Sequence, residues 1–474
     1  MRPQRIPFLL TFLAGMVATV LVATFSSSVA SIAATRYEDL SLFTNVLNLV
    51  RRNYVEPVED SVLVRGAVRG MLQELDPNSS FLDIDAYKEM QVDTRGEFHG
   101  LGIEITKSRD GFIEVVAPIE GTPAAQAGIR ARDQIVAICP TEPPEDWTEE
   151  CRNTKSMTLF EAVQLMRGRK GTEITIDVFR EGFDGPESFV IVRDVVKIVS
   201  VSGRMLEPGY AYVRIRTFQE QTVAELKDVL ETLHGAAERD FDGLVLDVRD
   251  NPGGLLDQAV KVANAWLSDG LVVYTKGRAE SQRQEFRARP ERTEPNYPIA
   301  VIVNEGTASA SEIVAGALQD QHRALVIGQK TFGKGSVQTV YPLDGGAGLR
   351  LTTALYYTPG GRSIQEVGIR PDIEVAARLN IAETDEDLAR RHLRERDLEG
   401  HFRHEDADPE AALPQGEPGA DASEVLGDEV GDLQLTRALE VLKSWTYFEH
   451  MRRDDEAASL QARAPQAQSS SGKP

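Results

Sequence analysis

The stretch that decides the fold runs Ile299-Ala-Val-Ile-Val303, Asn304-Glu-Gly-Thr-Ala-Ser309-Ala-Ser-Glu312, Ala324-Leu-Val-Ile-Gly328 and Thr331-Phe-Gly-Lys334-Gly-Ser-Val-Gln338. Two apolar, β-branched runs give way to small and polar residues, so each reads as a buried strand that delivers side chains into a loop. Ser309-Ala-Ser-Glu312 opens a helix candidate and carries the Ser-x-x-Glu pattern of a capping box. Lys334 stands between two glycines. A hydroxyl at a helix start and an amine on a glycine turn are the raw material of a nucleophile and its base.

Outward from this stretch, strand candidates at Tyr210 to Arg214, Leu244 to Val248, Ile299 to Val303 and Ala324 to Gly328 alternate with helix candidates. The helices are Val223 to His234, Leu255 to Leu267 and Ser309 to Gln319, and the alternation defines an α/β (α+β) core over residues 195–375. Residues 96–194 have another texture. Short strands at Leu101 to Ile105, Phe112 to Val116, Gln134 to Ile138 and Glu173 to Arg180 are interrupted by two short helices, Pro123 to Ala127 and Leu159 to Met166. This is a small, partly open barrel. Residues 36–95 read as helical, with a break at Asp76-Pro-Asn-Ser-Ser80.

Downstream, residues 376–430 read as an acidic linker. Between Glu405 and Asp432 there are ten acidic residues and no Lys or Arg, a composition that stays solvated. Leu433, Leu435, Leu439, Leu442 and Trp445 mark an amphipathic helix over 431–455, and 456–474 reads as a disordered tail. At the other end, Arg2 and Arg5 precede an apolar run from Ile6 to Phe25 and then small residues at Ser28 and Ala30. Residues 1–30 therefore read as a signal peptide or an N-terminal membrane anchor, which places the body in the periplasm or cell envelope.

The chain has 474 residues, of which 41% are hydrophobic and 27% charged, as expected of a soluble globular protein of several domains. A net charge of −22 disfavours nucleic acid and anionic membrane as partners. The two cysteines, Cys139 and Cys151, flank a Pro- and Glu-rich stretch, and in an oxidising compartment a disulfide is the simplest expectation. A metal pair is the weaker alternative.

Within the core, the helix-start N–H groups beside Ser309 suit a developing oxyanion, and Ser311 is a second candidate nucleophile that spacing leaves open. Of seven histidines only His322 lies near the Ser loop, in a polar connector, and no Gly-x-Ser-x-Gly elbow occurs. Gly328-x-x-x-x-Gly333-Lys334 approaches a phosphate loop, but Gly335 stands where Ser or Thr would ligate Mg²⁺. Lysine is the better base. To act, it must lose about 3 pKa units, roughly 4 kcal/mol of differential desolvation. Gln338 offers a way to orient the amine without adding charge. Gly253-Gly254, after Asp247-Val-Arg-Asp-Asn-Pro at a strand-to-helix junction, offers N–H groups to an oxyanion.

Two resemblances sharpen this reading. Gly100-Leu101-Gly102-Ile103, followed by Ala117-Pro-Ile-Glu-Gly-Thr-Pro-Ala-Ala-Gln-Ala-Gly128 and Arg132-Asp-Gln-Ile-Val136, resembles a PDZ domain, whose Gly loop holds a peptide's terminal carboxylate. Together with Phe98-His-Gly-Leu-Gly, the Asp247 to Gly254, Asn304 to Glu312 and Gly333 to Gln338 motifs resemble the carboxyl-terminal processing (tail-specific) proteases over roughly residues 36–375. The resemblance implies a Ser-Lys dyad of Ser309 and Lys334, with Gln338 as third member. It also implies an oxyanion hole from the N–H groups of Ala310 and either Gly253 or Gly254. Arg167 falls where relatives use a PDZ arginine to couple peptide binding to the active site. The implied partners are proteins with accessible C-terminal tails, an adaptor as a further candidate, and other copies of the chain through terminal helices. No cofactor is implied. The rival expectation is an inactive PDZ scaffold of the cell envelope. The Cys139–Cys151 insertion and the acidic linker depart from the family pattern.

Overall fold

A computed structural model describes residues 40–376, 394–402 and 432–463, apart from 109, 142–146, 148, 238, 291–293 and 399. The expected signal or anchor lies outside the described residues, as do most of the acidic linker and the end of the tail. Among the described residues no helix is long and apolar enough to cross a membrane.

The chain forms two compact units, residues 1–75 and 76–474. In the first, residues 40–53 and Asp60–Gln73 are helices. Leu40, Phe43, Val46, Val62 and Met71 leave apolar side chains exposed on them.

In the second unit, one sheet runs in the order Val201–Glu207, Tyr210–Ile215, Gly243–Asp247, Ile299–Val303, Leu325–Gly328 and Ile373–Glu374. The first pair is antiparallel and the others are parallel. Every residue of Gly243–Asp247 and of Ile299–Val303 is buried, which is why these runs are continuously apolar up to Asp247 instead of alternating. The pleat sends Leu244, Leu246, Ile299, Val301 and Val303 into the main core. There they share a cluster with residues of the helices Thr222–Ala236, Leu256–Asn264 and Ala310–Asp320. Val245, Ala300, Ile302 and Ile327 face the other way, onto Ala438 and Leu442 of the C-terminal helix. That helix runs Leu433–Arg463, past the expected end at 455. Its last turns are rich in Glu, Ala, Leu, Gln and Arg, residues with good helix propensity, so the tail reading for 456–463 is corrected.

A second sheet is built on the long strand Gly348–Tyr357, which pairs with Ser336–Pro342, Leu271–Gly277 and Ser80–Leu82. Ser80–Leu82 belongs to the stretch read as helical. Its three residues pair with Gly348, Leu349 and Arg350, a partner far along the chain that no local pattern announces.

Residues 103–192 form the partly open barrel, a sheet in the order Ile103–Lys107, Ile113–Pro118, Gln134–Pro140, Glu173–Phe179 and Glu187–Val192. Glu97–Gly100 and Asp194–Lys197 pair antiparallel where the chain enters and leaves it. Leu101, Ile113, Val115, Ile135, Ile138, Ile174 and Ile176 fill its core. Cys139 and Cys151 form a disulfide across a sequence separation of 12. Trp147 from the enclosed loop packs against the barrel core, under the Arg152 guanidinium at 5.5 Å. Loop-closure entropy for this length is worth about 3 kcal/mol. Replacing both cysteines by serine is expected to lower barrel stability by about that much, seen as an earlier denaturant midpoint.

Candidate active site

Ser309 caps the helix Ala310–Asp320 from a left-handed backbone, φ 54 and ψ −114. For a residue with a Cβ this conformation costs on the order of 1–3 kcal/mol and is kept where the surroundings enforce it. Part of the enforcement is visible. The Thr307 hydroxyl donates to Val248 O at 2.8 Å, Ala308 N–H donates to Asn251 O at 2.9 Å, and Ser309 N–H donates to Glu312 Oε2 at 2.8 Å. Of the capping box, the half from Ser309 N–H to the Glu312 carboxylate is formed, and the serine hydroxyl is left out of it. Ser311 is employed differently. Its hydroxyl lies 2.7 Å from Asn251 O and 2.8 Å from Ala308 O, holding the loops together from a fully buried position.

Glu312 is the residue the sequence reading undervalued, since it counted there only as a cap. Its fully buried carboxylate accepts from Ser309 N–H and Lys334 N–H on Oε2, and from Gly333 N–H and the Thr331 hydroxyl on Oε1. One oxygen therefore holds the Ser309 and Lys334 backbone nitrogens within about 6 Å of each other. Burial pushes Glu312 up to about 7 against the pull of these donors.

Lys334 is partly buried, and desolvation is the largest influence on its amine, pulling it below the ordinary lysine value. Glu395, Asp76 and Glu312 work in the opposite direction, and Arg350 reinforces the fall. Neither the Ser309 hydroxyl nor the Lys334 amine makes a hydrogen bond to another described residue. Such bonds commonly tighten only with substrate in place. Gln338 is drawn elsewhere. Its amide donates to Ser336 Oγ and Thr352 Oγ1, both at 3.1 Å, and Thr352 passes the chain on to Asp76 at 3.0 Å. His322 follows the far end of the helix that Ser309 opens, and eleven helical residues span about 16 Å.

Of the glycine pair, Gly253 abuts the serine. A Cβ there would come within 2.8 Å of Ser309 Cβ and 2.9 Å of Ala310 N, so only glycine fits this approach. Its N–H donates to Asn251 Oδ1 at 2.9 Å. Gly254 is pressed instead on Phe218, whose carbonyl oxygen would lie 2.2 Å from an added Cβ. The first N–H of the helix, that of Ala310, has no intrahelical carbonyl to meet. The loop before these glycines is anchored by Asp247, which accepts from Tyr212 and Arg249, and Arg249 reaches on to Asp432 ahead of the C-terminal helix.

In the barrel, Gly102 has φ 77 and no room for a Cβ beside Thr122, while its carbonyl accepts from Ile119 N–H at 2.9 Å. Gly100 and Leu101 are buried, and Ile103 starts the strand at the edge of the barrel sheet. Arg167 ends the short helix Leu159–Met166. Its guanidinium makes a two-pronged pair with Glu89, on the helix Ile84–Arg95, and lies 5.3 Å over the Phe98 ring. Among the described residues the potential metal-ligating cluster is Cys139, Cys151 and Asp177, and both of its sulfurs are joined in the disulfide.

An α/β core that presents a strained serine at a helix start, with a peptide-recognition module in the same unit, has the architecture of a serine peptidase. Residues 209–375 match peptidase family S41, residues 89–178 the PDZ domain, and residues 17–86 the N-terminal domain of the activating protease CtpB. The chain is 41% identical over 408 residues to a carboxy-terminal-processing protease of Bartonella bacilliformis, covering 86% of this chain and 89% of that protein. It is 37% identical over 331 residues to a carboxyl-terminal-processing protease of Synechocystis, covering 68% and 74%. The solved photosystem II D1 C-terminal processing protease aligns with a TM-score of 0.41 and 30% identity, covering 70% of this chain and 92% of that one. The chain belongs to the carboxy-terminal-processing proteases, PDZ-bearing serine peptidases of family S41.

Proposed function

We propose that this peptidase is exported and that its PDZ groove takes the C-terminal residues of substrate proteins. The core then cleaves the tail by an acyl-enzyme mechanism. Ser309 Oγ attacks the scissile carbonyl while Lys334, as the neutral amine, takes its proton. The lysine returns that proton to the leaving amine, and water resolves the ester. The Ala310 N–H and a glycine of the 253–254 pair receive the oxyanion, and Gln338 orients the amine once substrate is bound. The observation that carries this reading is the single Glu312 oxygen shared by the backbones of nucleophile and base. Ser309 in a strained conformation and Ser311 engaged with two carbonyls support the choice of serine. Export to the periplasm or envelope rests on the basic, apolar and small-residue order of residues 1–30 and agrees with a disulfide. Arg167, released from Glu89, is the candidate link between groove and core. An adaptor and assembly through the terminal helices remain part of the proposal.

Tail reading has a direct test. Cleavage of a peptide ending in a free carboxylate is compared with cleavage of its C-terminal amide. The amide lacks the charge that the Gly100 to Ile103 N–H groups would hold, and kcat/KM is expected to fall at least about tenfold. Equal cleavage of the two would remove the carboxylate loop from substrate selection.

A further inference from the structure

The described residues of 394–402 lie inside the stretch read as an acidic linker, yet Arg394, Glu395, His401 and Phe402 are tied to the core. Glu395 is fully buried. Its N–H donates to Phe332 O at 3.4 Å, and its Oε1 accepts from Gln365 Nε2 at 3.1 Å and from Asn78 Nδ2 at 3.0 Å. Gln365 Oε1 in turn accepts from Gly335 N–H at 3.0 Å. Glu395 is therefore tied to the residues on both sides of Lys334, at 332 and 335. Its other oxygen, Oε2, is buried with no hydrogen-bond partner among the described residues.

The flanks of the segment are pinned as well. Arg394 pairs with the buried Glu305, the His401 ring meets Glu366, and Phe402 O accepts from Gln365 Nε2 at 3.0 Å. A carboxylate oxygen without a donor is costly to bury, and such atoms ordinarily find a partner or serve a site. The cation closest in sequence to its anchors is the Lys334 ammonium.

We propose that Glu395 is a positioning residue for the base: its carboxylate is the counter-ion of Lys334, and the strap of residues 394–402 delivers it. The proposal rests on Lys334 being the general base. A carboxylate acting on the amine favours the ammonium, the form that cannot accept the serine proton. The strap thus restrains the enzyme, and loosening it frees the amine to act at lower pH. The remaining charges around Lys334 are Asp76 from the loop before Ser80–Leu82, Arg350 from Gly348–Tyr357 and Glu312 from the helix Ala310–Asp320. These stay in place when Glu395 is changed.

The test is the pH profile of kcat/KM on a C-terminal tail peptide, for the full chain and for Glu395→Gln, Arg394→Ala and Lys334→Ala, each checked for folding by thermal unfolding. Glu395→Gln keeps the acceptor for Asn78 and Gln365 but removes the charge. Its acid limb is expected to move down by about one pH unit, so activity on that limb rises about tenfold while the alkaline plateau is unchanged. Arg394→Ala, which unties the strap at Glu305, shifts the limb the same way by less, and it decides alone should Glu395→Gln fail to fold. A limb that stays put or moves up, or activity lost at every pH, overturns the role of Glu395 while leaving the dyad standing. Activity persisting in Lys334→Ala overturns the base assignment instead.

Discussion

Ser309→Ala and Lys334→Ala should each lower turnover of a tail peptide by about 10⁴-fold, while its binding to the PDZ groove survives. That loss corresponds to about 5.5 kcal/mol of transition-state stabilisation. The two variants are expected to be equally damaged because nucleophile and base act as one unit: without the amine the hydroxyl stays protonated, and without the hydroxyl the amine has nothing to activate. The double variant should then be no worse than either single one. Ser311→Ala is the contrasting case. Its hydroxyl bridges Asn251 O and Ala308 O, so its removal should act through stability and spare most of kcat. Single-turnover kinetics on the four proteins, with binding measured separately by titration of a tail peptide, checks the set. Residual turnover in Lys334→Ala within tenfold of the parent would mean another group accepts the proton.

Much of this site was legible in the chain because its parts are local. Apolar runs at 244–246 and 299–303, short and rich in Val, Ile and Leu, read as strands buried on both faces, and Ser309-Ala-Ser-Glu312 announces a helix start. Gly100 to Ile103 gains meaning from the following turn and strand, all within one small barrel. The long-range partnerships were not legible. Ser80–Leu82 becomes a strand only because Gly348–Arg350 lies beside it, and nothing within residues 76–83 states that. Arg394 and Glu395 sit in a polar neighbourhood with no periodic apolar face, so composition assigns them to solvent. Their burial comes from specific pairs with Glu305, Asn78 and Gln365. The partners of Gln338 were also not legible: beside a register shift between Val337 and Gln338, its amide donates to Ser336 and Thr352.

Glu312→Ala should be among the most destabilising single changes in the core, at about 4 kcal/mol or more. It strands four donors at once: the N–H groups of Ser309, Gly333 and Lys334 and the Thr331 hydroxyl. Glu312→Gln is milder, since one oxygen remains, but its NH₂ must face two of those donors. Both variants should also lose kcat, because the serine and lysine backbones no longer share an acceptor. The pH dependence gives the sharper check. Burial raises this carboxyl from 4.5 to about 7, so the folded state holds the proton more tightly than the unfolded chain does. A carboxyl raised in this sense contributes stability that is full below pH 4.5 and is lost as pH climbs through about 7. The corresponding change is about 3 kcal/mol. Chemical denaturation of the parent and of Glu312→Gln between pH 4 and 8 isolates the term, because the other titrating groups largely cancel in the difference. The stability gap between them should narrow by about 3 kcal/mol across that range. A gap that widened with pH would mean the four donors outweigh burial and the carboxylate is held as the anion, which would also deepen the negative field in which Lys334 must give up its proton.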